Sequence, residues 1–247
     1  MIFLALKTYK QTTGDAVIKI LSSVKKVQKE TGVPIIACAQ TTDIYRIRKE
    51  LDIEVWAQHV DPIDPGKNTG WISPYSVKEA GATGVLINHS EHKIPEETVI
   101  KTAEKAKEYG LKTMVIGQSP EMVIKYDSLD IDFISYEKED LIASEVSMID
   151  QQEEAIKELV KNLKHPLIIG AGIKDGEDSK KSRAAGAAGP GARGGGSASA
   201  GRAGPGRRPA GPGGPRRGGS GRPGRCRRTS TGRRPRRGRP RSTRRRR

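Results

Sequence analysis

Gly84-Val85-Leu86-Ile87-Asn88-His89-Ser90-Glu91 is a short aliphatic run that breaks at once into polar residues. A Lys/Glu-rich amphipathic stretch over 96–109 follows, with Pro95 at its start and Gly110 just past its end, and a second apolar run over 113–116. Proline suits the first turn of a helix and glycine the position after its last residue. The unit therefore reads as strand, loop, helix, strand. Two short continuous apolar strands joined through a helix belong to a parallel sheet covered on both faces.

The same alternation runs outward in both directions. Apolar runs stand at 2–6, 33–37, 53–57, 84–87, 113–116, 133–135 and 167–169, and the strongest helical patterns lie at 15–30, 96–109 and 151–163. Gly32 ends the first of these helices, and Pro120 suits the first turn of another. Either a doubly wound sheet or a (β/α)8 barrel fits the pattern. Seven strands in so short a stretch favour the barrel, an α/β fold of the TIM type. No eighth strand is legible, so the barrel is expected to be incomplete, with about seven βα units.

The reason is a change of composition. Residues 183–247 hold 21 arginines and no lysine, aspartate or glutamate, and lack Ile, Leu, Val, Met, Phe, Trp and Tyr altogether. Removing those 21 charges from the chain's +16 leaves residues 1–182 at −5, so the basic character belongs to the tail alone. A segment without large apolar side chains cannot offset the entropy of folding by burial. Residues 1–182 are thus expected as the folded β/α domain and 183–247 as a disordered tail. The switch at Ser179-Lys180-Lys181-Ser182, from Ile, Lys and Glu to Arg, Gly, Ala and Pro, points to a frameshift or assembly join. Taken as a real segment, the tail would attract nucleic acid non-specifically through its arginines. Cys38 and Cys226 suggest no structural disulfide, and no apolar run is long enough to cross a membrane. A cytoplasmic protein is expected.

In a parallel β/α fold, reactive side chains belong just after the carboxyl ends of strands. Lys7, His89 and Glu137 stand there after the first, fourth and sixth runs. A cation, an imidazole and a carboxylate converging on one mouth suit proton abstraction beside the carbonyl of an anionic substrate. Each also has a bland alternative: a solvated lysine, a satisfied loop histidine, and one member of the charge run Glu137-Lys138-Glu139-Asp140. Gly170-Ala171-Gly172, after the seventh run, is a turn whose amides can approach a phosphate. His59, His92 and His165 lack partners at metal-ligand spacing, so no metal is assigned. Trp56 and Trp71 are expected to pack.

Leu6-Lys7-Thr8-Tyr9, Ala57-Gln58-His59-Val60-Asp61-Pro62, Lys78-Glu79-Ala80-Gly81-Ala82, Asn88-His89-Ser90-Glu91 and Gly170-Ala171-Gly172-Ile173 resemble, in order and spacing, the triosephosphate isomerases of the compact archaeal type. The resemblance covers residues 1–182. It implies Glu137 as catalytic base, His89 as neutral electrophile and Lys7 as substrate-binding cation; a Glu base beside a neutral His is the known arrangement of this family itself. It further implies Glu91 as supporting acid, and Gly170 and Gly172 in the phosphate loop. The implied reaction is the glycolytic and gluconeogenic interconversion of glyceraldehyde 3-phosphate and dihydroxyacetone phosphate. No cofactor is implied, and a homo-oligomer (dimer or tetramer) is, with residues 58–70 at the interface. The chain departs from the family's pattern at Ala5, where an asparagine that binds substrate is usual. It departs again at Lys138-Glu139 and Ala143-Ser144-Glu145 in the lid, and in the missing eighth unit. The alternatives are an inactive truncated barrel with a nucleic-acid-binding tail, or another phosphate-binding (β/α)8 enzyme.

Overall fold

The computed structural model describes residues 1–138, 148–170, 173 and 176–193. Eight parallel strands close into a barrel in chain order: β1 (Ile2–Ala5), β2 (Ile35–Ala39), β3 (Val55–Ala57), β4 (Gly84–Ile87), β5 (Lys112–Gly117), β6 (Phe133–Tyr136), β7 (Leu167–Ile169) and β8 (Gly189–Arg193). Around it lie α1 (Asp15–Thr31), α2 (Thr41–Glu50), α3 (Pro74–Glu79), α4 (Glu96–Glu108), α5 (Pro120–Tyr126), α6 (Met148–Asn162) and α7 (Gly176–Ala184). The seven apolar runs are all strands, and Gly32 and Gly110 end α1 and α4 in the left-handed conformation, each at φ 69°. Helices α2 and α3 were not read from the sequence.

The expected gap is corrected: β8 is present and the barrel is complete. It pairs with β7 (Ile168 opposite Gly189, Ile169 opposite Pro190) and with β1 (Phe3 opposite Gly191, Leu4 opposite Ala192, Ala5 opposite Arg193). The barrel therefore runs past Ser182, which lies inside α7. The composition argument asked for buried apolar side chains. A strand between two neighbours is held by its own amides and carbonyls, which lend themselves to pairing whatever the side chain. Small residues also suit the position. A Cβ on Gly189 would stand 2.3 Å from the Met1 carbonyl oxygen, and one on Gly186 would stand 2.8 Å from Val160 Cγ1.

Two apolar layers result. Outside the sheet, Val17 and Leu21 of α1, Ile44 and Ile47 of α2, Val99 and Ala103 of α4, and Ile156 and Leu159 of α6 bury their stripes against the strands. Inside, Phe3, Trp56 and Phe133 meet edge to face with ring centroids 5.0, 5.3 and 5.9 Å apart, as aromatic quadrupoles prefer. The Trp56 indole fills the space over Gly84, where a Cβ would come within 2.3 Å of the ring. Trp56 thus packs as expected. Trp71 does not: it is 60% exposed. No helix among the described residues is long and apolar enough to cross a membrane.

Closure makes a testable demand. A chain ending after Ser182 leaves β1 and β7 with open edges, which invite pairing between molecules. It is expected to aggregate and lose its cooperative thermal transition by circular dichroism. A chain ending after Ser199, the limit of the compact unit that begins at Met1, keeps that transition. A soluble, cooperatively melting 1–182 chain would show β8 to be dispensable.

Candidate active site

The loops that follow the strands surround a cavity of about 290 Å³ lined by Ala5, Lys7, Thr8, Gln58, His59, Leu86, His89, Glu91 and His92. Lys7 enters it from the end of β1 through a left-handed backbone, φ 55°. That conformation is costly for a residue with a side chain. It is held by Gln58, whose Nε2 donates to the Lys7 carbonyl at 3.1 Å and to the Cys38 carbonyl at 3.0 Å. The ammonium of Lys7 is ion-paired with Glu91, whose side chain is half exposed.

His89 follows β4 and a second left-handed residue, Asn88 (φ 64°). Asn88 is buried; its Nδ2 donates to the Ile116 carbonyl at 3.0 Å and its Oδ1 accepts from the Ile94 amide at 3.1 Å. The Glu91 amide donates to His89 Nδ1 at 3.1 Å. A ring nitrogen that accepts carries no proton, so in the neutral imidazole the proton sits on Nε2. Nε2 lies 3.5 Å from Glu137 Oε2.

Glu137 comes directly after β6, with its amide donating to the Gly117 carbonyl at 3.0 Å. The side chain is buried, and the Ser90 hydroxyl donates to Oε2 at 3.2 Å. Removal from water raises its carboxyl above the ordinary value; His89, Ser90 and Lys7 pull it back, and Glu91 adds to the rise. Gly170, after β7, makes room for it. A Cβ there would stand 2.2 Å from Glu137 Cγ and 2.3 Å from Oε1. The Gly170 amide itself donates to the Tyr136 carbonyl at 3.1 Å within the sheet, so it is engaged by the barrel.

Lys7, His89, Glu91 and Glu137 thus meet, and Ala5 lines the same cavity. Gly172 and the lid residues Glu139 and Ala143-Ser144-Glu145 lie outside the described residues. Four contributors were given no role in the site from sequence: Asn88, Ser90 and Gln58, quoted only within motifs, and Gln118. The usable signal was their place, immediately after a strand or beside His89. The other histidines are partnered. His59 and His92 are in tilted ring contact, 4.4 Å between centroids with the planes at 45°, and His59 Nε2 lies 3.2 Å from Asp61 Oδ1. His165, before β7 and so at the opposite end, has its Nδ1 2.8 Å from an oxygen of buried Asp127.

The family model described as triosephosphate isomerase matches residues 1–201. The chain belongs to the triosephosphate isomerase family. Among curated relatives, the triosephosphate isomerase of Methanobacterium bryantii is 37% identical over 185 residues, 73% of this chain and 82% of the relative. That of Saccharolobus solfataricus is 36% identical over 195 residues, 77% of this chain and 86% of the relative. Of solved structures, the triosephosphate isomerase of Bartonella henselae superposes with a TM-score of 0.60 over 78% of this chain and 91% of its own, at 18% identity, a likeness of fold. The family match ends beyond Ser182 and so takes in β8.

Burial of Glu137 has a thermodynamic signature. Its folded pKa lies above the unfolded one, so its contribution to stability is full below the unfolded value and is lost as pH rises through the folded one. Glu137→Gln, neutral throughout, is expected to melt above the parent at about pH 8, with the gap closing toward about pH 4. A variant melting no higher at the alkaline end would mean that His89 and Lys7 fully offset the burial.

Proposed function

We infer that this member of the family is a triose-phosphate isomerase, interconverting glyceraldehyde 3-phosphate and dihydroxyacetone phosphate through an enediolate. One observation carries the residue assignment: the buried Glu137 carboxylate faces His89 Nε2 at 3.5 Å, with Nδ1 held as an acceptor. Aldose and ketose share one enediolate, since removing the proton from the carbon beside either carbonyl gives the same species. Glu137 takes that proton from one carbon and returns it to the next. His89 Nε2–H donates to the developing oxyanion and serves the accompanying proton shift between the two oxygens. The raised carboxyl of Glu137 suits a base, because it narrows the gap to the carbon acid. Lys7 and the loop after β7 hold the anion, Gly172 belonging to that loop, and Glu91 orients Lys7.

Family membership argues against the alternative of an unrelated phosphate-binding barrel. The nucleic-acid expectation falls, beyond Arg193, on residues outside those described, and no comparison carries it. A cytoplasmic location accords with the reading.

Glu137→Gln should lower kcat by about 10²–10⁴, the usual contribution of a positioned base; activity within about tenfold of the parent would remove Glu137 from the mechanism. Ala5 offers no donor where the family places an asparagine, so Ala5→Asn is expected to raise kcat/KM. An unchanged value would mean that the substrate oxygen is met by another group.

The chain also self-associates on this reading. The loop after β3 is closed by the Asp61 amide donating to the Ile72 carbonyl at 2.8 Å and by the Asp61 carboxylate accepting from the Ile72 amide at 2.7 Å. It presents Trp71, and Tyr75 of the following α3 is 45% exposed. Exposed rings on a braced loop fit an interface between copies. Trp71→Ser should shift the protein to smaller species in sedimentation velocity; an unchanged distribution would place the interface elsewhere.

A further inference from the structure

The end of β5 supplies no group to the chemistry described above, yet both halves of the catalytic pair hang from it. The Ile116 carbonyl accepts from Asn88 Nδ2 at 3.0 Å, which ties down the turn carrying His89. The next carbonyl, Gly117, accepts from the Glu137 amide at 3.0 Å, which sets where the base leaves β6. The residue after that is Gln118. Its Nε2 donates to the Asn88 carbonyl at 2.9 Å and reaches the Ile116 carbonyl at 3.3 Å. Three consecutive residues of β5 and its exit thus bind the His89 turn twice and the Glu137 backbone once.

The Asn88 carbonyl is the group a clamp must hold. Asn88 has φ 64°, a left-handed conformation that few residues other than glycine adopt and that the surroundings must hold. Relaxation of that residue would rotate the peptide linking it to His89, and the imidazole with it. Gln118 is itself well anchored. Gly117 sits beneath α5, where a Cβ would come within 2.8 Å of Val123 Cγ2, and Ser119 caps α5 by accepting from the Met122 amide at 3.3 Å. Pro120 keeps Ser119 extended, at φ −139° and ψ 160°. Gln118 is therefore half-buried on a rigid turn, aimed at a neighbouring strand.

We propose that Gln118 is a positioning residue for the isomerase reaction: by holding the left-handed Asn88 through its carbonyl, it fixes the His89 imidazole against Glu137 from the end of β5. The proposal rests on the isomerase reading above. It acts on the geometry of the reacting pair and not on the binding of the anion, which falls to Lys7 and the loop after β7. Its mark is a split between kinetic constants.

The test uses the full chain with Gln118→Met, which keeps the volume and removes the donor, and Gln118→Asn, whose amide falls one methylene short. Both are expected to lower kcat by about 10- to 100-fold, the scale of a misplacement near 1 Å. KM should stay within about twofold, because ground-state binding is untouched. In histidine-¹⁵N spectra the His89 ring resonances should move while those of His165, at the opposite end of the barrel, stay in place. A kcat unchanged in an active parent, or a loss of kcat with the His89 signals unmoved, would overturn the proposal. A parent without isomerase activity would defeat the functional reading instead, and the ¹⁵N shifts would then decide the positioning role alone.

Discussion

Closure of the sheet through β8 is the constraint on which everything else rests, and it is made almost wholly of backbone. Gly189-Pro190-Gly191-Ala192-Arg193 brings almost no apolar volume, but its amides and carbonyls occupy the edges of both β7 and β1. The bulk that β8 lacks is supplied from elsewhere in the barrel. Phe3, Trp56 and Phe133 reach across the interior, and Gly84 yields its own volume to the indole. Such a division of labour works because dispersion depends on filling space and not on which strand fills it. The same closure brings β7 beside β6 in the register that sets Gly170 against Glu137.

Glu137 shows what the barrel is built to hold. A carboxylate taken out of water favours its neutral form unless charges or donors compensate. Here the compensation is partial: His89 and Lys7 oppose the rise, the Ser90 hydroxyl gives one hydrogen bond, and Glu91 works against them. A fully compensated carboxylate would be stable and a poor base; an uncompensated one would stay protonated. The intermediate position costs the fold some stability at neutral pH, a common trade at reactive sites. Gly170 is part of that arrangement, since any side chain there would expel the carboxylate.

The sequence disclosed the strands because parallel strands buried on both faces leave continuous apolar runs, and 84–87 and 167–169 were legible to the residue. Strand β8 was not, because its stability comes from pairing partners distant in sequence, while composition reports only side chains. That Lys7, His89 and Glu137 would converge was legible from their place after strands, a rule of the fold and not of the residues. Gln58 and Gln118 stand at equivalent places but act on carbonyls of neighbouring strands, and a one-dimensional reading cannot pair an amide with the carbonyl it will meet. Trp71 misled for a related reason. Aromatic character predicts burial in some surface, and the surface that covers a residue on the loop after β3 need not belong to the same chain.

The two left-handed residues of the site are placed alike, and the likeness explains why polar amides recur around the mouth. Lys7 and Asn88 each stand just beyond a strand, where the chain must turn sharply so that the next side chains face the cavity and not the helices. Glycine would adopt that turn without cost, but glycine at Lys7 would remove the cation, and at Asn88 it would remove two hydrogen bonds that brace the turn. Keeping a side chain means accepting strain, and strain persists only where the surroundings over-determine the backbone. Gln58 and Gln118 provide that over-determination. Each donates to the carbonyl of the left-handed residue and to a carbonyl at a strand end, of Cys38 in one case and Ile116 in the other. A glutamine is long enough to cross one inter-strand spacing and carries two donors on one nitrogen, which neither serine nor asparagine offers at that reach. The rigidity of the barrel is thereby carried to Lys7 and to the turn that bears His89, the two groups on which the proposed chemistry depends.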